Sequence, residues 1–149
     1  MVVFKRGNIF DEADADALVN TVNCVGVMGA GLALQFRKRY PEMFQAYREA
    51  CVASRVHVGR MWIYKANGQF PRYIINFPTK QHWRNPSRLE YIQTGLHDLI
   101  RILKDLKIGK VAIPPLGCGL GGLPWDVVRK MLVDALKDIP EIEVVVFEP

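Results

Sequence analysis

Two segments of this chain combine a high density of glycine with a helical pattern that follows directly. The first reads CVGVMGAGLALQF and places Gly26, Gly29 and Gly31 ahead of a helix; the second reads LGCGLGGLPW and places Gly117, Gly119, Gly121 and Gly122 ahead of another. Glycine lets a backbone approach a ligand closely, and a helix start offers unpaired N–H groups and a positive dipole end, so each loop suits a phosphate. Two such loops at neighbouring strand ends suit a pyrophosphate held from both sides. The pattern G-x-x-x-x-G-K-[ST] does not occur, which argues against a P-loop NTPase. Gly117, Gly119 and Gly122 match G-x-G-x-x-G literally, but only one helix and one strand follow, too little for a dinucleotide fold. Asn20 and Asn23, at the end of a strand, are uncharged amides that either hydrogen-bond ribose hydroxyls without repelling a pyrophosphate or shape a turn.

Other chemistries find fewer candidates. His57, His82 and His97 lack H-E-x-x-H spacing and no cysteine pairs with them, so no metal is expected. Ser54 and Ser87 are not in a G-x-S-x-G elbow. Cys118 between two glycines could be a thiol nucleophile, although buried packing is the commoner fate of such a cysteine. Cys24, Cys51 and Cys118 are too few and too scattered for a disulfide framework, which points to a reducing compartment. Neither glycine loop holds a carboxylate. The acids nearest them, Asp11, Glu12 and Asp126, read as solvated turn or first-turn residues. Lys80 lies in a loop, and a loop lysine taken alone is ordinarily a solvated charge.

The charge is unevenly placed. The chain has 20 Lys and Arg against 15 Asp and Glu, a net +5, and no acid occurs between Glu49 and Glu90. That window holds seven of the basic residues, Arg55, Arg60, Lys65, Arg72, Lys80, Arg84 and Arg88, leaving the other basic residues outnumbered by the acids. It also holds Trp62, Tyr64, Phe70, Tyr73, Phe77 and Trp83, and basic residues interleaved with aromatics suit a strand of nucleic acid. Trp62, Tyr64, Tyr73 and Phe77 fall inside strand patterns and read as packing residues. Trp83, in a polar loop, either stacks on a base while Arg84 and Arg88 meet phosphates or packs on the domain; His82 either joins it or caps the loop.

The elements that must position these residues follow from periodicity. Six β-rich runs are expected, at Val2 to Phe4, Ala17 to Thr21, Met61 to Lys65, Tyr73 to Phe77, Lys110 to Ile113 and Glu143 to Phe147. Helical patterns occupy Gly31 to Arg39, Glu42 to Ala53, Leu89 to Lys107 and Trp125 to Lys137. Ser87 and Glu90 stand in the relation of a capping box for the third, and Pro124 suits the first position of the fourth. Alternating strands and helices, with runs such as VAIPP and VVVF apolar throughout, predict an α/β domain with a mostly parallel buried sheet. MWIYKA and RYIINF, separated by NGQFP, predict an antiparallel hairpin around Asn67 and Gly68, so the sheet is mixed. Nothing divides residues 1–149, which are read as one domain. The N-terminus turns polar too early for a signal peptide, and no run approaches a membrane span; a cytoplasmic location is expected.

GNIF near the N-terminus, ALVNTVNCVGVMGAGLA, and IPPLGCGLGGLPW before the last helix resemble a macrodomain, the ADP-ribose-binding fold, over nearly the whole chain. The resemblance implies a three-layer α/β/α domain with a mixed six-stranded central sheet. Within that family NFPTKQHWR, with Lys80, is similar to the branch of the terminal ADP-ribose protein glycohydrolase and, more closely, to DarG-type antitoxin macrodomains. Those remove ADP-ribose from thymidine in single-stranded DNA, reversing a DarT-type toxin.

By that resemblance Asn8 and Ile9 meet the adenosine end, Asn8 standing where many macrodomains place an Asp. Asn20, Thr21 and Asn23 line the ribose region, Gly31 and Leu32 touch the phosphates and distal ribose, and Thr79 is a further ADP-ribose-binding residue. Gly117, Cys118, Gly119, Leu120 and Gly121 close over the pyrophosphate; the residue types of His82, Trp83, Arg84 and Arg88 make these four the expected DNA contacts. Lys80 is the implied catalytic residue, either a nucleophile at the distal ribose or an acid or electrostatic catalyst. Nucleophilic or proton-shuttling use requires its ammonium to lose a proton near neutral pH. The related glycohydrolase has a resolving Asp in the second glycine loop where this chain has Gly121. The implied partners are ADP-ribose, ADP-ribosylated single-stranded DNA and a DarT-like toxin, the last through a region outside this chain, which is expected to be the N-terminal part of a longer protein. A monomer without cofactor is expected; a reader that binds ADP-ribose without hydrolysis, or an enzyme acting on ADP-ribosylated protein, is the alternative.

Overall fold

The computed structural model describes residues 1–149. Six strands are formed, β1 (Val2–Lys5), β2 (Ala17–Val22), β3 (Trp62–Lys65), β4 (Tyr73–Pro78), β5 (Lys110–Ile113) and β6 (Glu143–Phe147). Four helices accompany them, α1 (Gly31–Arg39), α2 (Pro41–Val52), α3 (Leu89–Asp105) and α4 (Trp125–Leu136), with a 3-10 turn at Ile9–Asp11. The strand order is β1-β6-β5-β2-β4-β3, and every pair is parallel except β3 with β4. The expected hairpin is therefore the one antiparallel pairing, and the sheet is mixed as the sequence predicts.

The strands are apolar on both faces because helices cover both. Alternate residues divide the core: Ala17, Val19, Ile75, Phe77, Val111, Ile113, Val144 and Val146 pack with the buried residues of α3 and α4. Leu18, Val22, Ile74, Ala112, Val145 and Phe147 pack with those of α1 and α2. A period-2 strand between two helix layers requires this split. Contact is close where α3 crosses β4: a Cβ on Gly95 would lie 2.4 Å from two ring carbons of Phe77, which is fully buried. Glycine in mid-helix is what lets α3 lie on the strand that ends just before Lys80.

Helix ends differ from the sequence reading in two places. Pro124 is the N-cap of α4, one residue before its first turn. The Ser87–Glu90 capping box does not form: α3 is capped at Arg88 without a side-chain bond, and Glu90 pairs with Arg88 at 3.2 Å. Packed against the second glycine loop, the serine is held by tertiary contact that outweighs its local capping preference. The basic window also fails to gather into one patch. Arg72, at the start of β4, pairs with Asp16 at 3.5 Å, whereas Lys80 follows the opposite end of that strand.

Candidate functional site

The C-terminal ends of β2 and β5 lie side by side, and the chain leaves them for opposite faces of the sheet, toward α1 and α4. This is a topological switch point, where open α/β sheets hold ligands. A cleft of about 1000 Å³ opens here, walled by both glycine loops and by the segment after β4. A second depression of about 400 Å³ runs on from it, sharing Leu32, Pro114 and Pro115 and ending at Gly7, Asn8 and Ile9. The two form one elongated trough, a shape suited to a ligand with a nucleoside at one end and phosphates in the middle.

Of the residues singled out in the sequence, Thr21, Asn23, Gly31, Leu32, Thr79, Lys80, Trp83, Arg84, Gly117, Gly119, Leu120 and Gly121 line the wide cleft. Asn8 and Ile9 line the narrow end. Four stand apart. Asn20 is fully buried, pointing from β2 into the α1/α2 layer, where its Nδ2 donates to Asn76 Oδ1 at 3.1 Å on the paired strand. The Cys118 side chain packs against the α3/α4 core and donates to Leu116 O at 3.4 Å. Burial pushes its thiol up to about 11, so it is protonated at neutral pH and is not poised as a nucleophile. His82 turns its Nδ1 to the Arg84 N–H at 3.1 Å, the loop-capping alternative. Arg88 is held outward by Glu90 and lies over Tyr91.

The sequence reading missed Pro114 and Pro115, which floor both parts of the trough, and Val27, Ala30, Asn85 and Pro86 on the walls of the wide one. The prolines were legible as the residues ending the apolar run VAIPP; the others carry no sequence signal of their own.

The loop after β2 is shaped by its asparagine. Asn23 Oδ1 accepts from the Val25 N–H at 3.1 Å and from Tyr47 at 2.9 Å, while Nδ2 donates to Val27 O at 2.8 Å. Tyr47, fully buried on α2, also donates to Asn23 O at 2.7 Å. Asn23 thus fills the role of a turn asparagine that turns the loop toward α1. In the second loop the N–H groups of Gly119, Leu120 and Gly121 donate to no protein acceptor and are free for an anion.

Gly117 has φ +70°, and a Cβ there would lie 2.7 Å from the Leu123 side chain, so only glycine fits. A Cβ on Gly121 would lie 2.3 Å from Ser87 Oγ and 2.4 Å from the carbonyl oxygen of Gly117. Position 121 is therefore closed to any side chain, an acid included.

Lys80 bridges the two walls. Its Nζ donates to Leu120 O at 3.2 Å and to Trp83 O at 3.4 Å, and its own backbone is fixed to the end of β2. Thr79 N–H donates to Val22 O, Cys24 N–H to Gln81 O, and the Cys24 thiol to Lys80 O at 3.5 Å. Burial raises that thiol to about 11, so it stays a donor at neutral pH. Trp83 is half-exposed, with the Arg84 guanidinium 4.7 Å from its ring centroid and His82 5.2 Å away. The wide cleft is lined by no Asp or Glu; its charged residues are Lys80 and Arg84.

A family model described as "Macro domain" matches residues 19–132. A Mycobacterium tuberculosis protein named DNA ADP-ribosyl glycohydrolase is 52% identical over the whole of this chain, which covers 42% of its length. The solved macrodomain of Mycobacterium tuberculosis DarG superposes with a TM-score of 0.97 at 51% identity, covering 100% of this chain and 98% of that one. Thermosipho africanus DarTG, solved in complex with ADP-ribose, matches with a TM-score of 0.93 at 31% identity over 99% of this chain and 41% of that one. The chain spans about two fifths of the length of the curated relatives of similar identity. No helix is long and apolar enough to cross a membrane.

Proposed function

This chain belongs to the macrodomain family, and from that premise we propose that it is a glycohydrolase that binds ADP-ribose and removes it from thymidine bases of single-stranded DNA, with Lys80 as its catalytic residue. The observation that carries the reading is Lys80 itself, an ammonium in a cleft wall without a carboxylate, between a loop that offers free N–H groups and a half-exposed tryptophan. The names of the M. tuberculosis and T. africanus proteins support both the ligand and the nucleic-acid substrate.

The adenosine lies toward Asn8 and Ile9, the pyrophosphate between the glycine loops, and the distal ribose beside Lys80. Asn8 Oδ1 accepts from the Phe10 N–H at 3.0 Å and keeps a second lone pair for the adenine amino group. Hydrolysis breaks the bond between the ribose anomeric carbon and the base nitrogen; water supplies a hydroxyl to the carbon and a proton to the nitrogen. Lys80 acts either by attacking that carbon, with water then displacing the amine, or by moving the proton to the departing base. Trp83 and Arg84 at the mouth would hold the base and its phosphate. Gly121 leaves no room for a resolving acid, so the second step falls to water and substrate groups. A DarT-like toxin would make the modification that this activity reverses.

The test uses an oligonucleotide carrying ADP-ribosylated thymidine. Lys80→Ala is expected to keep ADP-ribose affinity within about threefold and to lose release by at least about a hundredfold, the scale of one acid–base or nucleophilic group. Undiminished turnover by the variant refutes the role of Lys80. A wild-type protein that binds ADP-ribose but releases none from DNA is a reader instead, and faster release from Glu-modified protein reassigns the substrate.

A further inference from the structure

Ser87 sits at the start of a helix that it does not cap. Its pattern with Glu90 is that of a capping box, yet Arg88 occupies the cap position, Glu90 is taken by Arg88, and the serine is turned the other way. It is 5% exposed, and its Oγ has no hydrogen-bond partner. A buried hydroxyl without a partner destabilises a fold, so its presence calls for a functional or structural reason.

What the side chain faces is the second glycine loop. Its N–H donates to Gly121 O at 3.0 Å, its Oγ lies 2.3 Å from where a Cβ on Gly121 would be, and its Cβ lies 3.2 Å from one on Gly117. Those glycines have no side chains because Ser87 and the neighbouring backbone fill the space. The loop is also held at one further point, where Lys80 Nζ donates to the Leu120 carbonyl. A ligand that draws Nζ toward the distal ribose removes that donor, while the free N–H groups of Gly119, Leu120 and Gly121 turn to the phosphates. Peptide units that rotate their N–H groups outward swing their carbonyls inward, toward Ser87.

We propose that Ser87 is a positioning residue for the phosphate-binding loop: its hydroxyl, unpartnered in the free protein, donates to a backbone carbonyl of the Gly117–Gly121 loop when that loop closes on its ligand. The proposal rests on the reading of the cleft as an ADP-ribose site, and the experiment separates the two. Wild type, Ser87→Ala and Ser87→Cys are compared by calorimetric titration with ADP-ribose and by thermal denaturation without ligand.

Removing an unpartnered hydroxyl is expected to raise the Tm of Ser87→Ala by about 2–8 °C. The same change is expected to weaken ADP-ribose binding about tenfold, the scale of one lost hydrogen bond. Ser87→Cys, close in shape but a weak donor, is expected to lose affinity as well. A stabilised Ser87→Ala with wild-type affinity overturns the proposal, as does a destabilised one, since the hydroxyl would then be satisfied in the free protein. Wild-type affinity in Ser87→Cys beside a loss in Ser87→Ala makes shape rather than donation responsible, and also overturns it. Failure of the wild type to bind ADP-ribose overturns the functional reading as well; failure of the variants alone to differ overturns only this inference.

Discussion

Gly121→Ala separates the geometry of the second glycine loop from its chemistry. The substitution adds one methyl group and no charge. Gly121 is not among the glycines with positive φ, so the backbone conformation itself accepts alanine. What it does not accept is the space: the methyl would meet Ser87 Oγ at 2.3 Å and the Gly117 carbonyl oxygen at 2.4 Å, and one of these is backbone that cannot rotate away. In the free protein the loop can relax outward, since Leu120 is 73% exposed and nothing lies within 4 Å of a Cβ on Gly119. The unliganded Tm should therefore fall by less than about 4 °C. Binding requires the loop to return, and the overpacking cost of about 1–3 kcal/mol is then taken from the binding free energy, about 5- to 150-fold in Kd. Titration with ADP-ribose measures it. Adding Ser87→Ala to Gly121→Ala should recover little, because the Gly117 carbonyl contact remains. A Gly121→Ala protein that binds within threefold of wild type would refute the argument that position 121 excludes the acid on steric grounds.

Further outcomes follow from the packing behind the site. Gly95→Ala gains about 1 kcal/mol of helix propensity but drives a methyl to 2.4 Å from the buried Phe77 ring, at about 1–3 kcal/mol; a net loss of Tm is expected in thermal denaturation, and a gain would show that α3 shifts freely. Tyr47→Phe removes the donor to both Asn23 oxygens and should cost about 1–3 kcal/mol in denaturant melts, with weaker ADP-ribose binding as the Asn23–Val27 loop loosens; unchanged affinity would show that the loop holds itself. Glu12 is held below the usual carboxylate range, chiefly by its bond to Lys5 against the opposing effect of burial, with Lys110 also contributing. Its contribution to stability is present above the unfolded glutamate range and is lost as pH falls through the lower folded value. Glu12→Gln should flatten the acid limb of a stability profile measured between about pH 3 and 7, and an unchanged limb would place the loss elsewhere.

The element types and the pairing class of the sheet were legible in the sequence because they depend on short-range pattern. The apolar runs of β5 and β6 announce a sheet buried on both faces, and the hairpin spacing announces the antiparallel pair. The glycine loops were legible for a similar reason, since residues that must lie close to a ligand or adopt positive φ leave a local mark. Asn20 and Asn23 carried the same mark and have different fates. Side-chain direction alternates along a strand, and the parity that sends Asn20 into the α1/α2 layer is fixed by which helices cover which face. Ser87 was read as a cap because capping is a local preference, while the glycine loop that claims it lies about 30 residues further along the chain.

The sequence by itself therefore determined an α/β domain with two phosphate-suited loops, a lysine in a basic loop, and a resemblance that joined them. Only the tertiary structure decided that the basic window is divided between opposite ends of β4, that Lys80 spans to Leu120 across 40 residues, and that a side chain at 121 has nowhere to go. The physical reason is common to all three. Propensity and periodicity are written within a few residues, whereas a distance between two loops is set by the sheet order that brings their strands together.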